Sequence, residues 1–200
     1  MPLTFRTRAE ILYVFMGKKA ELQAQMERQA RIDSQWIHQG RFLQVRQDKV
    51  VFPHHPPQIW DIVTHSGVVA IIPIDEEGRF LLVEQWRRAI GKITLEIPAG
   101  MLEAGEEPIT CAQRELQEET GFWARDLTPF GGCYPTPGMS TEYDHLFVAK
   151  NLELRPLQAE DTDVIDVRRV TSDEALKLIK EGQICDAKTA VGLLRYLYCC

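Results

Sequence analysis

The segment Arg114-Glu115-Leu116-Gln117-Glu118-Glu119 constrains this chain more than any other. It lies near the end of a stretch from about Pro108 to Thr120 that reads as a helix, with Pro108 in its first turn and Gly121 placed to end it. At about 3.6 residues per turn, Glu115, Glu118 and Glu119 project from one face as i, i+3 and i+4. Like charges at those spacings cost roughly a few tenths of a kcal/mol per pair, and the C-terminal end of the helix dipole disfavours anions as well. Taken alone, such a pattern is more often a solvated acidic face. A hard divalent cation offsets the cost directly, because carboxylate oxygens are its preferred ligands.

Around this helix the chain alternates between the two regular periods. Short β-branched and aromatic runs predict strands at residues 42–45, 50–52, 59–63, 68–74, 80–83 and 93–97, and again near 127–131, 145–149 and 165–168. Asp75-Glu76-Glu77-Gly78 reads as a hairpin turn, Pro98-Ala99-Gly100 as a loop, and His54-His55 beside Pro56-Pro57 as a turn rather than a metal site. Thr171-Ser172-Asp173-Glu174 is a capping box that opens a helix closed by Gly182, and a last helix runs from about Ala187 to Tyr198. Upstream, residues 9–32 are rich in helix formers but carry only a thin apolar stripe, such as Leu22, Met26 and Ala30. The expectation is an α/β fold in three parts: a helical extension over 1–35, a small strand region over 36–64, and a main domain over 65–200.

Charge and cysteine content narrow the function. A formal net charge of -6 leaves no basic footprint for nucleic acid, so a polyanionic ligand must be met by local arginines or by metal ions. No run approaches the apolar length of a membrane span, and the five cysteines, Cys111, Cys133, Cys185, Cys199 and Cys200, show no paired spacing. A cytoplasmic protein with unpaired thiols is expected.

Gly100, Glu106, Arg114-Glu115-Leu116, Glu118-Glu119 and Gly121-Phe122 stand at the spacings of the box that defines the Nudix hydrolases. On these residues the chain resembles that family. The resemblance implies an α/β/α sandwich with a mixed sheet, and hydrolysis of a nucleoside diphosphate linked to another group with two or more Mg²⁺ or Mn²⁺ ions. It implies Glu115, Glu118 and Glu119 as metal ligands, completed by the main-chain carbonyl of Ala99. Arg114 and Glu106 fall at supporting positions, where a guanidinium fork can hold carboxylates in place. Glu96 matches a family position close to the site, without a fixed role.

Outside the box, Pro137-Gly138 lies where the ADP-ribose pyrophosphatase branch carries its marker proline, although the same dipeptide also suits a type II turn. Gln85-Trp86-Arg87, Leu95 to Gly100, Pro137 to Glu142 and Asp186-Ala187-Lys188-Thr189 are similar to that branch too, so the resemblance spans about Phe42 to Leu194. It implies ADP-ribose as first substrate, cleaved to AMP and ribose 5-phosphate, with GDP-mannose or ADP-glucose as alternatives and a non-catalytic nucleotide-sugar sensor as the rival of another class. Arg87, with Arg88 behind it, is the candidate for substrate phosphate. Glu142 is read either as the group that approaches the attacking water or as a solvated loop residue. Trp60 and Phe42 are candidates to stack on the base, Phe42 equally for core packing. A homodimer follows by analogy.

Overall fold

A computed structural model describes residues 18–40, 43–157 and 165–199. Phe42, Cys200, and the residues of the N-terminal extension before Lys18 lie outside it. The chain divides into two compact units at Val63/Thr64.

The first unit holds α1 (Lys18–Gln29) and strands β1 (Arg31–Gln39), β2 (Gln44–Val51) and β3 (Gln58–Thr64), ordered β1-β2-β3. Strand β1 corrects the expectation of helix as far as Ile32. Its residues are exposed throughout, Ile32, Trp36 and Ile37 included, so no buried face marks them, and antiparallel pairing with β2 from Arg31↔Val51 to Gln39↔Gln44 supplies the order. His54 sits in the expected turn with a positive φ of 66°.

In the second unit, β4 (Val68–Pro73), β5 (Phe80–Arg87), β6 (Lys92–Glu96) and β7 (Ala99–Met101) precede the glutamate helix α2 (Pro108–Thr120). Then come β8 (Phe122–Cys133), β9 (Asp144–Leu154), β10 (Asp166–Val170), α3 (Ser172–Lys180) and α4 (Ala187–Cys199). One sheet is mixed, ordered β7-β4-β9-β8, with β4 and β9 parallel. The other is antiparallel, ordered β10-β5-β6. Residues Ala99–Met101 form a short strand, not the expected loop, because β4 pairs with them.

Alternation along β4 and β9 separates two cores. Ala70, Ile72, Leu146 and Val148 pack on one face with Ala175, Leu178 and Leu193 of the last two helices. Val69, Ile71, Phe147 and Ala149 pack on the other with Cys111, Ala112 and Leu116 of α2. Helices on both faces of a mixed sheet make the expected α/β/α layering. Leu116 is fully buried, and such burial contributes about 2 kcal/mol, several times the repulsion among the α2 carboxylates. Packing thus holds α2 and its carboxylates in place. Gly121 ends the helix at φ 76°, its N–H donating to the Gln117 carbonyl.

Candidate active site

Arg114 organises the carboxylates of α2. Its guanidinium forks onto Glu106, Nε to Oε1 at 3.1 Å and Nη2 to Oε2 at 3.0 Å. Its Nη1 donates to Glu115 at 2.7 Å and to Glu118 at 3.1 Å. Hydrogen bonds from Arg114 hold the Glu106 carboxyl down at about 2, well below the ordinary range. Glu115 is pushed the other way, mainly by burial, with Arg114 opposing.

Glu119 turns toward the strand layer, where its Oε2 accepts the Ala99 N–H at 2.9 Å. Burial pushes its carboxyl up to about 7, against the pull of that hydrogen bond. At Gly100 the backbone runs so close to α2 that any Cβ would collide with the Glu115 carboxyl. The glycine therefore makes the cradle in which Glu115 lies. Gly100→Ala is expected to fold with a melting temperature close to wild type, because only the flexible end of Glu115 must move. Turnover should fall by about tenfold or more, since a displacement of about 1 Å at a reacting centre has effects of this order. Thermal melts with steady-state kinetics on one preparation check both halves.

The three α2 glutamates suit a hard cation in kind, all being oxygen donors within about one helical turn. Among the described residues, no three His, Cys, Asp or Glu side chains are gathered closely enough to enclose an ion. Their present partners explain this: Glu115 and Glu118 accept from Arg114, and Glu119 from Ala99. Each could exchange a hydrogen bond for a cation without rearrangement of the helix.

Beside this face is a cavity of about 490 Å³, lined by Arg87, Glu96, Ala99, Gly100, Glu142 and Lys188 among others. Four residues expected from the sequence, Arg87, Glu96, Ala99 and Glu142, are brought together in its wall. Arg88 is exposed in the turn after β5 and does not line it. Pro137 and Gly138 lie in the turn leading toward Glu142, where the Met139 and Ser140 N–H groups both donate to the Thr136 carbonyl. Gly138 lacks the positive φ of a type II turn, which corrects that alternative. Trp60, on β3, is 47% exposed, so it is not a core residue.

Two side chains here carried no expected role. Lys188, one residue into α4, donates to Glu96 at 2.5 Å and forms an ion pair with Asp186 at 3.0 Å. Asp144, at the start of β9, is buried with no hydrogen-bond partner for Oδ1 among the described residues, and burial next to the Glu142 charge pushes it up to about 6. No spacing rule could have found the Lys188 contact, because its partner Glu96 lies 92 residues away. Only the Asp186-to-Thr189 resemblance marked that segment.

The NUDIX domain model matches residues 63–189. An ADP-ribose pyrophosphatase of Bacillus subtilis strain 168 is 35% identical over 164 residues, 81% of this chain and 89% of that protein. A methanol dehydrogenase activator of Bacillus methanolicus is 38% identical over the same shares. A crystal structure described as an ADP compounds hydrolase superposes with a TM-score of 0.77 at 20% identity, covering 84% of this chain and 92% of that one, and so shares the fold. The match reaches from β3 into α4 and takes in the whole of α2 with its glutamates, and on that ground the chain belongs to the Nudix hydrolase family.

Proposed function

We propose that this protein hydrolyses the diphosphate of a nucleoside diphosphate sugar, with ADP-ribose as first substrate and AMP and ribose 5-phosphate as products. One observation carries the reading: Arg87 and Glu142 line a cavity whose wall includes Ala99 and Gly100, the residues against which Glu119 and Glu115 rest. Nudix hydrolases generally use divalent metal ions. Glu115, Glu118 and Glu119, with the Ala99 carbonyl, are the residues that would hold Mg²⁺ or Mn²⁺, whose chemistry is to neutralise the diphosphate and acidify water. Arg87 meets a substrate phosphate through the N–H groups that Glu96 leaves unused. Glu142 accepts the proton of the attacking water at its carboxylate as the phosphorus–oxygen bond to the leaving phosphate breaks. Arg114 keeps Glu115 and Glu118 aligned. The intact glutamate set speaks against a non-catalytic sensor, which has no use for the repulsion. Side-by-side kcat/KM values for ADP-ribose, GDP-mannose and ADP-glucose test the choice of substrate. A preference for ADP-ribose is expected, and a preference for GDP-mannose would replace it.

Base recognition is assigned to an aromatic face at Trp60, half-exposed and thus available for stacking. Trp60→Ala should raise KM for ADP-ribose by a factor equivalent to about 1–3 kcal/mol, with Trp60→Phe close to wild type. A stable Trp60→Ala protein with unchanged KM rules the ring out. A homodimer is proposed too. It is supported by apolar side chains left exposed, Trp36 and Ile37 on β1 and the cross-strand pair Trp86 and Ile93. Sedimentation equilibrium decides this. The free thiols of Cys111, Cys133, Cys185 and Cys199 fit a cytoplasmic setting, and no helix among the described residues is long and apolar enough to cross a membrane.

A further inference from the structure

Asp144 opens β9 at a position where the alternation calls for an apolar residue. Leu146 and Val148 follow on the same face of the strand, both buried in the core that they share with Ala70 of β4. Asp144 itself is 2% exposed, and its Oδ1 has no hydrogen-bond partner among the described residues. A buried acceptor without a donor costs stability, so the carboxyl does not serve the packing of β9.

Its surroundings show what it does serve. Glu142 stands two residues earlier, and the Tyr143 carbonyl between them accepts the Val68 N–H at 3.0 Å, which carries the pairing with β4 back past Asp144. Side chains alternate along a paired strand, so Glu142 and Asp144 leave the chain on the same side, and the Glu142 charge reaches Asp144. Glu142 lines the cavity, whereas Asp144 does not. From the start of α4, Lys188 draws the Asp144 carboxyl down and Asp186 pushes it up. Strand β8 contributes the Cys133 thiol, opposite Asp144 in register and itself pushed up by burial and by the Asp144 charge, with Arg195 of α4 opposing; β4 contributes apolar Val68. Burial and then Glu142 prevail over Lys188, which leaves Asp144 at about 6 in place of 3.8.

From this arrangement we propose that Asp144 is a positioning residue acting through Glu142: it takes over the proton that Glu142 accepts from the attacking water, and so returns Glu142 to its ionised form. The inference rests on the reading of Glu142 as proton acceptor in diphosphate hydrolysis, and it deepens that reading. As the water oxygen bonds to phosphorus and the phosphorus–oxygen bond to the leaving phosphate breaks, the water proton passes to the Glu142 carboxylate. The Glu142 carboxylic acid then gives that proton, across one water molecule, to Asp144 Oδ1, whose lone pairs no described donor occupies. Asp144 releases it to solvent once the products have left. A carboxylate whose proton affinity lies closer to the working pH is the better final acceptor.

The competing account makes Asp144 a counter-charge for Lys188. That role is already filled by Glu96 at 2.5 Å and Asp186 at 3.0 Å, and a third carboxylate that makes no hydrogen bond through Oδ1 adds burial without a partner.

The test has two arms on wild type, Asp144→Asn and Glu142→Gln. In carbon-13 NMR of the metal-free protein, the Asp144 carboxyl signal, assigned by its loss in Asp144→Asn, should titrate near pH 6, and about half a unit or more lower in Glu142→Gln, where the neighbouring charge is gone. In the kinetic arm, with saturating Mg²⁺ and ADP-ribose, wild type should exceed Asp144→Asn in kcat by about tenfold at pH 8 and by little at pH 5, where Asp144 already carries a proton; KM should not change. Asp144→Asn should also melt no lower than wild type at pH 8, because the stability given by a raised carboxyl is complete below about 3.8 and is lost as pH rises through 6. An Asp144 signal indifferent to Glu142→Gln would overturn the proposal, and so would equal kcat values at pH 8. A kcat ratio that stays the same from pH 5 to pH 8 would overturn it too, by marking a structural role. Failure of the substrate reading looks different: wild type then hydrolyses no nucleoside diphosphate sugar and the relay falls with it, while the coupling of the two carboxyls persists in the NMR arm.

Discussion

Glu118→Gln and Glu119→Gln are each expected to abolish turnover while leaving the fold standing. The fold survives because α2 is held by Leu116, Cys111 and Ala112 on its opposite face, worth far more than anything the acidic face contributes. For Glu119→Gln the metal-free protein should become more stable, and the gain should depend on pH. Burial raises the Glu119 carboxyl from 4.5 to about 7, so the folded state holds that proton more tightly than the unfolded chain. The resulting stability is complete below about pH 4.5 and is lost as pH rises through 7. A glutamine pays no such penalty and can still accept the Ala99 N–H. In EDTA the variant should therefore match wild type near pH 5 and exceed it at pH 8, by up to about 2 kcal/mol. Melts at the two pH values check this. A fall of several degrees at both would make the carboxylate structural.

The second large effect is expected at Glu142. Glu142→Gln should lower kcat by about a hundredfold or more and move KM little, because proton acceptance from water is felt mainly in the transition state. Its loop is held by the Ser140 hydroxyl, which accepts the Glu142 N–H at 3.1 Å, so the substitution leaves the backbone undisturbed. Unchanged kcat would assign the proton to another group and leave Glu142 as a solvated side chain. A rise in KM with kcat intact would make it a binding residue.

What could be read from the sequence follows from which signals are local. The glutamate helix, its glycine cap and the strands at β4, β5, β6 and β9 announce themselves through period and composition, and they build both cores. The Thr171 cap is real, its hydroxyl accepting the Glu174 N–H at 3.2 Å. Strand β1 left no trace, since Arg31-Ile32-Asp33-Ser34-Gln35 has no buried face and owes its conformation to β2. Strand β8 extends to both sides of the expected 127–131, because pairing with β9 carries it through Pro129 and Gly132 across a bulge. In the site, the carboxylates one turn apart were legible because helical geometry is local. The pairing of Lys188 with Glu96 was not, because the two lie 92 residues apart.

The account turns on whether the glutamate helix serves diphosphate hydrolysis, and phosphorus-31 NMR of the protein mixed with ADP-ribose tests that most directly. With Mg²⁺ the diphosphate signals should give way to the two monoesters AMP and ribose 5-phosphate, and neither EDTA nor Glu119→Gln should allow the conversion. Persistence of the diphosphate with wild type in both Mg²⁺ and Mn²⁺, or conversion undiminished by Glu119→Gln, would contradict it.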